Sequence, residues 1–252
     1  MHRNGKLTER NWAAYFEGNR ERRLEIDWEQ GVELETDRRG VLIASMLRFQ
    51  IGESGEGLHL KKCAAATGDA EYCRALKLFL AEENYHAQML GHVLQATETT
   101  PLDHHWTDAA FIFIRRFAGL KTELLVFLVA ELIAKRYYKA LKESTADANI
   151  RQMCRQILRD EHAHVAFHCD MLGRAFATML PVERLAIRFA WKRFYRLACR
   201  VVAWDHRGVL RAAGVSYRDW MRETDAVFER AASQIFHTPA PAVLATEAPQ
   251  SL

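Results

Sequence analysis

The chain has 252 residues, 49 % of them hydrophobic, and a formal net charge of only +3. That apolar content suits one well-packed domain, or one domain with extensions, and the small charge gives no global signal for nucleic acid. No run of some 18 apolar residues predicts a transmembrane helix, and Met1-His2-Arg3-Asn4-Gly5-Lys6 lacks the apolar core of a secretory signal.

Five scattered cysteines (Cys63, Cys73, Cys154, Cys169 and Cys199) form no Cys-x-x-Cys pair. They read as free thiols of a cytoplasmic protein, serving as small buried apolar residues.

Proline punctuates the chain at Pro101, Pro181, Pro239, Pro241 and Pro249. The long proline-free runs carry a helical period, and no alternating β-branched run competes, so the predicted class is all-α. Residues 1–36 form an N-terminal extension, with Trp12, Tyr15, Phe16 and Trp28 expected to cap one end of a bundle. A first core helix is predicted over 37–66, and Thr67-Gly68-Asp69 makes a turn. A second helix follows over 70–96, then a loop around Pro101. A third is predicted from Asp108, broken near Gly119, to Lys142. Ser144-Thr145-Ala146-Asp147 turns the chain into a fourth, over 148–180. Two additional C-terminal helices, 182–213 and 217–236, pack on this 37–180 bundle, the last capped by Ser216 and Asp219. Residues 237–252 are Pro- and Ala-rich and read as a disordered tail.

Two Glu-x-x-His motifs stand in the second and fourth helices: Glu83 with His86, and Glu161 with His164. Glu53 precedes Glu83 by 30 residues, and Glu131 precedes Glu161 by 30. The two sets are offset by 78 residues throughout. Residues i and i+3 share a helical face, and residues equidistant from a hairpin turn lie level. Glu53 and Glu83 flank Gly68; Glu131 and Glu161 flank Ala146. Packing the hairpins about a pseudo-twofold axis therefore brings all six side chains to one depth.

Four carboxylates in an apolar interior repel one another and lose hydration. Two divalent cations balance them, and mixed carboxylate and imidazole donors suit iron or manganese. The repeat favours Glu53 over Glu56, whose counterpart is Ala134. Glu123, mirrored by Cys169, is a weaker rival to Glu131. Glu82 and Asp160, also 78 apart, are candidates to bond the histidine of the opposite hairpin. His168 reads as a satisfied structural histidine ahead of a seventh ligand or pocket residue. Gly52, Gly55 and Gly57 weaken the helix around Glu53 and suggest a bulge or a close approach.

The set Glu53, Glu83/His86, Glu131 and Glu161/His164 resembles the ferritin-like di-iron carboxylate superfamily over about residues 37–180. Ala81-Glu82-Glu83-Asn84-Tyr85-His86 resembles the first motif of soluble acyl-carrier-protein desaturases. Ala130-Glu131-Leu132-Ile133-Ala134 with Tyr137-Tyr138, and Asp160-Glu161-His162-Ala163-His164, are similar to aldehyde-deformylating oxygenases. The resemblance implies a ferritin-like four-helix bundle and two iron ions (or a manganese/iron pair) held by the six residues. It also implies O₂ as co-substrate, an external reductase or ferredoxin-like electron donor, and a small hydrophobic substrate that is hydroxylated, desaturated or cleaved by a monooxygenase-type reaction. Leu90 stands where ribonucleotide reductase small subunits carry a radical tyrosine, and Ile157 where arylamine N-oxygenases add a histidine. Phe49, Phe79 and Phe127 are candidates to line a substrate pocket. The alternatives are a ferroxidase of an iron-storing cage and a metal-free helical interaction module.

Arg184, Arg188, Lys192, Arg196 and Arg200 recur every four residues on the fifth helix. They read as a solvated face, or as a docking face for an acidic carrier protein, an electron donor or an anionic membrane surface. A homodimer is compatible with the sequence.

Overall fold

A computed structural model describes residues 11–53, 57–100 and 119–236. Among these residues every regular element is helical. The elements are α1 (Trp12–Arg20), a short 3₁₀ turn (Trp28–Gln30), α2 (Arg39–Glu53), α3 (Leu58–Ala65), α4 (Ala70–Ala96), α5 (Gly119–Glu143), α6 (Ala148–Phe176), α7 (Pro181–Asp205), α8 (Arg207–Ala212) and α9 (Tyr217–Phe236). Glu56, the start of the third helix at 108, and the 237–252 tail lie outside the described residues.

Helix starts follow from local chemistry. Asp69 accepts from the Tyr72 N–H at 2.9 Å to cap α4, and Asp147 accepts from the Ile150 N–H at 2.8 Å to cap α6. Pro181 opens α7, where the Glu183 carboxylate accepts from the Leu180 N–H. Ser216 caps α9 by accepting from the Asp219 N–H.

Two hairpins make the core. One pairs α2 and α3 with α4, and the other pairs α5 with α6. They join where α4 meets α6 and α3 meets α5. Leu76, Leu80 and Leu90 of α4 are buried in this interior, with Leu124, Leu128 and Tyr138 of α5 and Ile150, Ile157 and Leu172 of α6. The α9 helix covers α5 and α6, with Trp220 and Phe228 fully buried, and α7 packs on α9. No helix among the described residues is long and apolar enough to cross a membrane.

Three expectations change. The helix over 37–66 is two helices, because Gly57 adopts φ 57° and ψ 29°, the left-handed region. The helix over 182–213 divides at His206. His206 Nδ1 lies 2.7 Å from Ser45 Oγ, and Arg48 pairs with Asp205 at 2.8 Å, so α2 holds the chain where it changes direction. The N-terminal segment covers more than an end of the bundle: α1 lies along α4, with the Trp12 indole donating to Asp170 of α6 at 2.9 Å, and the residues that follow reach the α5–α6 turn, where Glu35 accepts from the Ala146 N–H at 2.9 Å.

Gly57 is constrained twice. Its φ is positive, and a Cβ there would stand 2.6 Å from Leu80 Cδ1. Gly57→Ala should cost about 1–3 kcal/mol in urea unfolding; an unchanged midpoint would show that the α2–α3 break tolerates a side chain.

Candidate metal centre

The two motif helices each offer one face. In α4, Glu83 and His86 lie one turn apart; in α6, Glu161 and His164 do the same. Their ligand atoms all lie within 4.8 Å of one another. Glu53, at the last turn of α2, reaches the group with Oε2 3.8 Å from His86 Nδ1. Glu131 of α5 reaches it with Oε2 3.5 Å from His164 Nδ1. All six predicted residues therefore converge.

The distances give the cluster an internal order. His86 Nδ1 faces Glu53, Glu161 (3.8 Å) and Glu83 (4.0 Å). His164 Nδ1 faces Glu83 (2.8 Å) and Glu131. Glu53/His86 and Glu131/His164 thus form two ends, with Glu83 and Glu161 between them. Both histidines are fully buried, and the Glu83 side chain keeps 12 % exposure, the most open of the six.

The outer nitrogens of the histidines are fixed by exchange between hairpins. His86 Nε2 lies 3.1 Å from Asp160 of α6, and His164 Nε2 lies 2.9 Å from Glu82 of α4. This is the crossed pairing expected from the 78-residue offset. A carboxylate on Nε2 orients the ring so that Nδ1 points into the cluster.

Asn19 of α1 completes the arrangement. Its amide donates to Glu82 Oε1 and to Asp160 Oδ1, each at 2.8 Å, and its carbonyl accepts from Arg159. Gln156 donates to both oxygens of Asp160. Sequence reasoning missed Asn19 and Gln156, since neither belongs to the repeat. Tyr138 Oη donates to Glu53 Oε1 at 2.7 Å and holds that carboxylate in place.

The cluster's own protons show its electrostatic demand. Burial, then the charge of Glu131, pushes Glu83 and Glu161 above the carboxylate range. Burial opposes ionisation of Glu131 too, but the neighbouring Glu161 and His164 outweigh it and hold that group low. Burial opposes a charged His86, yet the hydrogen bond to Asp160 and the nearby Glu53 carboxylate push it up to about 10, and His164 rises with Glu83 as the chief charge behind it. Protons thus occupy the places where the donor set would accept cations.

Even so, Glu83 Oε1, Glu131 Oε2, Glu161 Oε2 and both Nδ1 atoms are buried without an aligned hydrogen-bond partner. Glu83 Oε1 is close to His164 Nδ1, but the geometry is not that of a hydrogen bond. Five orphaned donor atoms facing one another fit metal ions.

Other expectations fare differently. His168 is not a satisfied structural histidine: it is fully buried and neither ring nitrogen has a partner. It packs among Phe79, Phe127 and Phe167, and burial pushes its pKa down to about 4, so it is neutral. Phe79 also meets the His164 ring, whereas Phe49 stacks on Tyr137. Glu123 does not join the cluster; it pairs with His59 at 2.8 Å.

All five cysteines are free, but Cys63 and Cys73 are only half-buried, because each lies beside the inward-facing positions of its helix. The basic stripe of α7 turns toward α9: Arg188 and Lys192 pair with Glu229, and Arg196 with Asp225. Arg184 donates to the carbonyls of Ala177 and Met179. Those four cations are engaged within the chain. The exposed side of α7 instead carries Val182, Leu185, Phe189, Leu197 and Trp204.

The chain gives no significant match to protein-family models, to curated proteins or to solved structures. What the helices and the buried His/Glu cluster establish is compatibility with a di-iron site.

Asn19→Ala should leave Glu82 and Asp160 short of a donor inside the protein. The expected loss is about 1–3 kcal/mol of stability, with metal affinity lower by roughly 10–100-fold. Calorimetric melting and metal titration of the variant check both. A variant matching the parent in both would show that α1 is dispensable to the cluster.

Proposed function

We propose that the six-residue cluster holds two iron ions, or a manganese/iron pair, and that the protein is an O₂-dependent oxidoreductase acting on a small hydrophobic substrate. The observation that carries this reading is the set of buried donor atoms without partners, in a cluster whose histidines are already oriented from outside. The placement of Glu-x-x-His motifs and lone glutamates on four core helices supports a ferritin-like di-metal arrangement. Two iron ions held there would supply the electrons that reduce dioxygen.

The chain's own residues set the conditions. Glu53 and His86 would hold one ion, and Glu131 and His164 the other, with Glu83 and Glu161 shared. Asp160 and Glu82 keep the imidazoles aimed and raise their basicity. Tyr138 holds the Glu53 carboxylate in place through its hydroxyl proton. Phe79, Phe127 and Phe167 make an apolar wall beside Glu131 and His164, with neutral His168 as its one polar group. That wall excludes water from the histidine side and suits an apolar substrate better than a charged one.

Iron added anaerobically should bind at about two equivalents per chain, and exposure to O₂ with a reductant should give a transient near-ultraviolet to visible absorption. Turnover of an organic substrate, rather than accumulation of ferric mineral, separates the oxidoreductase from an iron-storing ferroxidase. Iron beyond a few equivalents per chain, or no uptake, would overturn the reading.

Glu161→Gln mimics the protonated acid and removes one of four mutually repelling carboxylates. The metal-free variant should melt at or above the parent temperature. Saturating metal should raise the melting temperature of the parent by on the order of 5–10 °C but leave the variant nearly unmoved. Equal metal-induced shifts in both would place the bound ions elsewhere.

A further inference from the structure

A second group of ligating side chains lies outside the cluster. His59 and Cys63 stand one turn apart on α3, and Glu123 faces them from the start of α5. We propose that these three residues form a separate mononuclear site for a thiolate-accepting divalent ion of the zinc type, pinning α3 to α5.

The geometry is that of converging ligands. His59 Nδ1 lies 2.8 Å from Glu123 Oε2, Cys63 Sγ lies 3.8 Å and 3.9 Å from the two His59 nitrogens, and one ligand atom from each residue falls within 4.8 Å of the others. An ion bound tetrahedrally at roughly 2.0–2.3 Å spaces its donors about 3.3–3.8 Å apart. The sulfur–nitrogen separation already has that value. The nitrogen–oxygen separation is that of a shared proton, and the His59 side chain, 39 % exposed, has room to withdraw as a cation replaces it.

Burial and chemistry point the same way. The Glu123 carboxylate is 4 % exposed, and among the described residues it pairs with a half-exposed imidazole, that of His59. The Cys63 thiol is pushed up by burial and by Glu123, so a bound ion would displace its proton. Tyr72 supplies an independent sign. Its residue is 7 % exposed, its hydroxyl has no hydrogen-bond partner, and it feels the charges of both Glu123 and Cys63. A buried, unpartnered phenol near Glu123 and Cys63 could meet the water or fourth donor that completes such a site.

Mixed sulfur, nitrogen and oxygen donors favour zinc over the hard ions suited to an all-carboxylate and imidazole cluster. Glu123 precedes Glu131 by eight residues of α5, about 12 Å of helix rise. The site is thus distinct from the six-residue cluster and does not rest on the reading of that cluster.

Cobalt(II) is the direct probe, because the six-residue cluster contains no sulfur. Full-length protein stripped with chelator and titrated with Co²⁺ should develop a thiolate-to-cobalt charge-transfer band with the visible bands of a tetrahedral ion. Cys63→Ser should abolish the charge-transfer band, Cys73→Ser should keep it, and His59→Ala or Glu123→Gln should weaken binding by more than about tenfold. Absence of the band in the parent, or its persistence in Cys63→Ser, would overturn the proposal. Should Cys63→Ser fail to fold, the parent decides alone: Zn²⁺ should slow alkylation of Cys63 by iodoacetamide at least tenfold while leaving Cys73 unaffected, and equal rates with and without Zn²⁺ would overturn it.

Discussion

The controlling constraint is the burial of negative charge. Glu53, Glu82, Glu131, Asp160 and Glu161 are each at most 8 % exposed, with Glu83 between them and the buried His86 and His164 among them. An uncompensated carboxylate in such surroundings costs several kcal/mol, so the interior must supply protons, donors or cations. The outer pair, Glu82 and Asp160, is satisfied by Asn19, Gln156 and the histidine Nε2 atoms. Of the inner four, Glu53 accepts from Tyr138, while Glu83, Glu131 and Glu161 each keep an orphaned oxygen. One population of acids is closed by the protein and the other left open, which separates a scaffold from a ligand set.

Much of that division was legible because a repeat encodes it. A 78-residue offset acts on both hairpins, so each residue's counterpart tests its role; Glu82 and Asp160 pass that test along with the six inner residues. Helix starts were legible where a side chain caps locally, as at Asp69 and Asp147. What escaped were features set by contacts between unlike parts of the chain. Asn19 lies in a helix outside the repeat, and nothing in its neighbourhood marks it as the bridge between two distant acids. The glycines announced trouble near Glu53, but that Leu80 fills the space a Cβ on Gly57 would need is a contact the sequence does not show.

The basic stripe shows the same limit from the other side. A four-residue period of cations reads as a surface when seen alone. Asp225 and Glu229 have a matching four-residue spacing on α9, and antiparallel packing of the two helices pairs Arg188, Lys192 and Arg196 with them. Such solvent-near pairs contribute modestly to stability but fix register. His168 was misread for the opposite reason: a histidine one turn beyond a ligand is usually satisfied, yet this one is enclosed by phenyl rings that offer no hydrogen bond.

The crossed histidine–carboxylate bonds also dictate how the site is assembled. Neither hairpin orients its own histidine, since His86 depends on Asp160 from the other and His164 on Glu82. A single hairpin would therefore carry a Glu-x-x-His with a freely turning ring and low affinity. Docking of the two hairpins aims both rings at once, and α1 then ties the two orienting acids together through one amide. Metal affinity and global folding are coupled by that geometry, so bound ions would stabilise the contact between α4 and α6 more than either hairpin alone. Cooperativity of this kind explains why a costly concentration of charge can persist in the middle of the fold: the same contacts that gather it also bring the donors that hold its outer members.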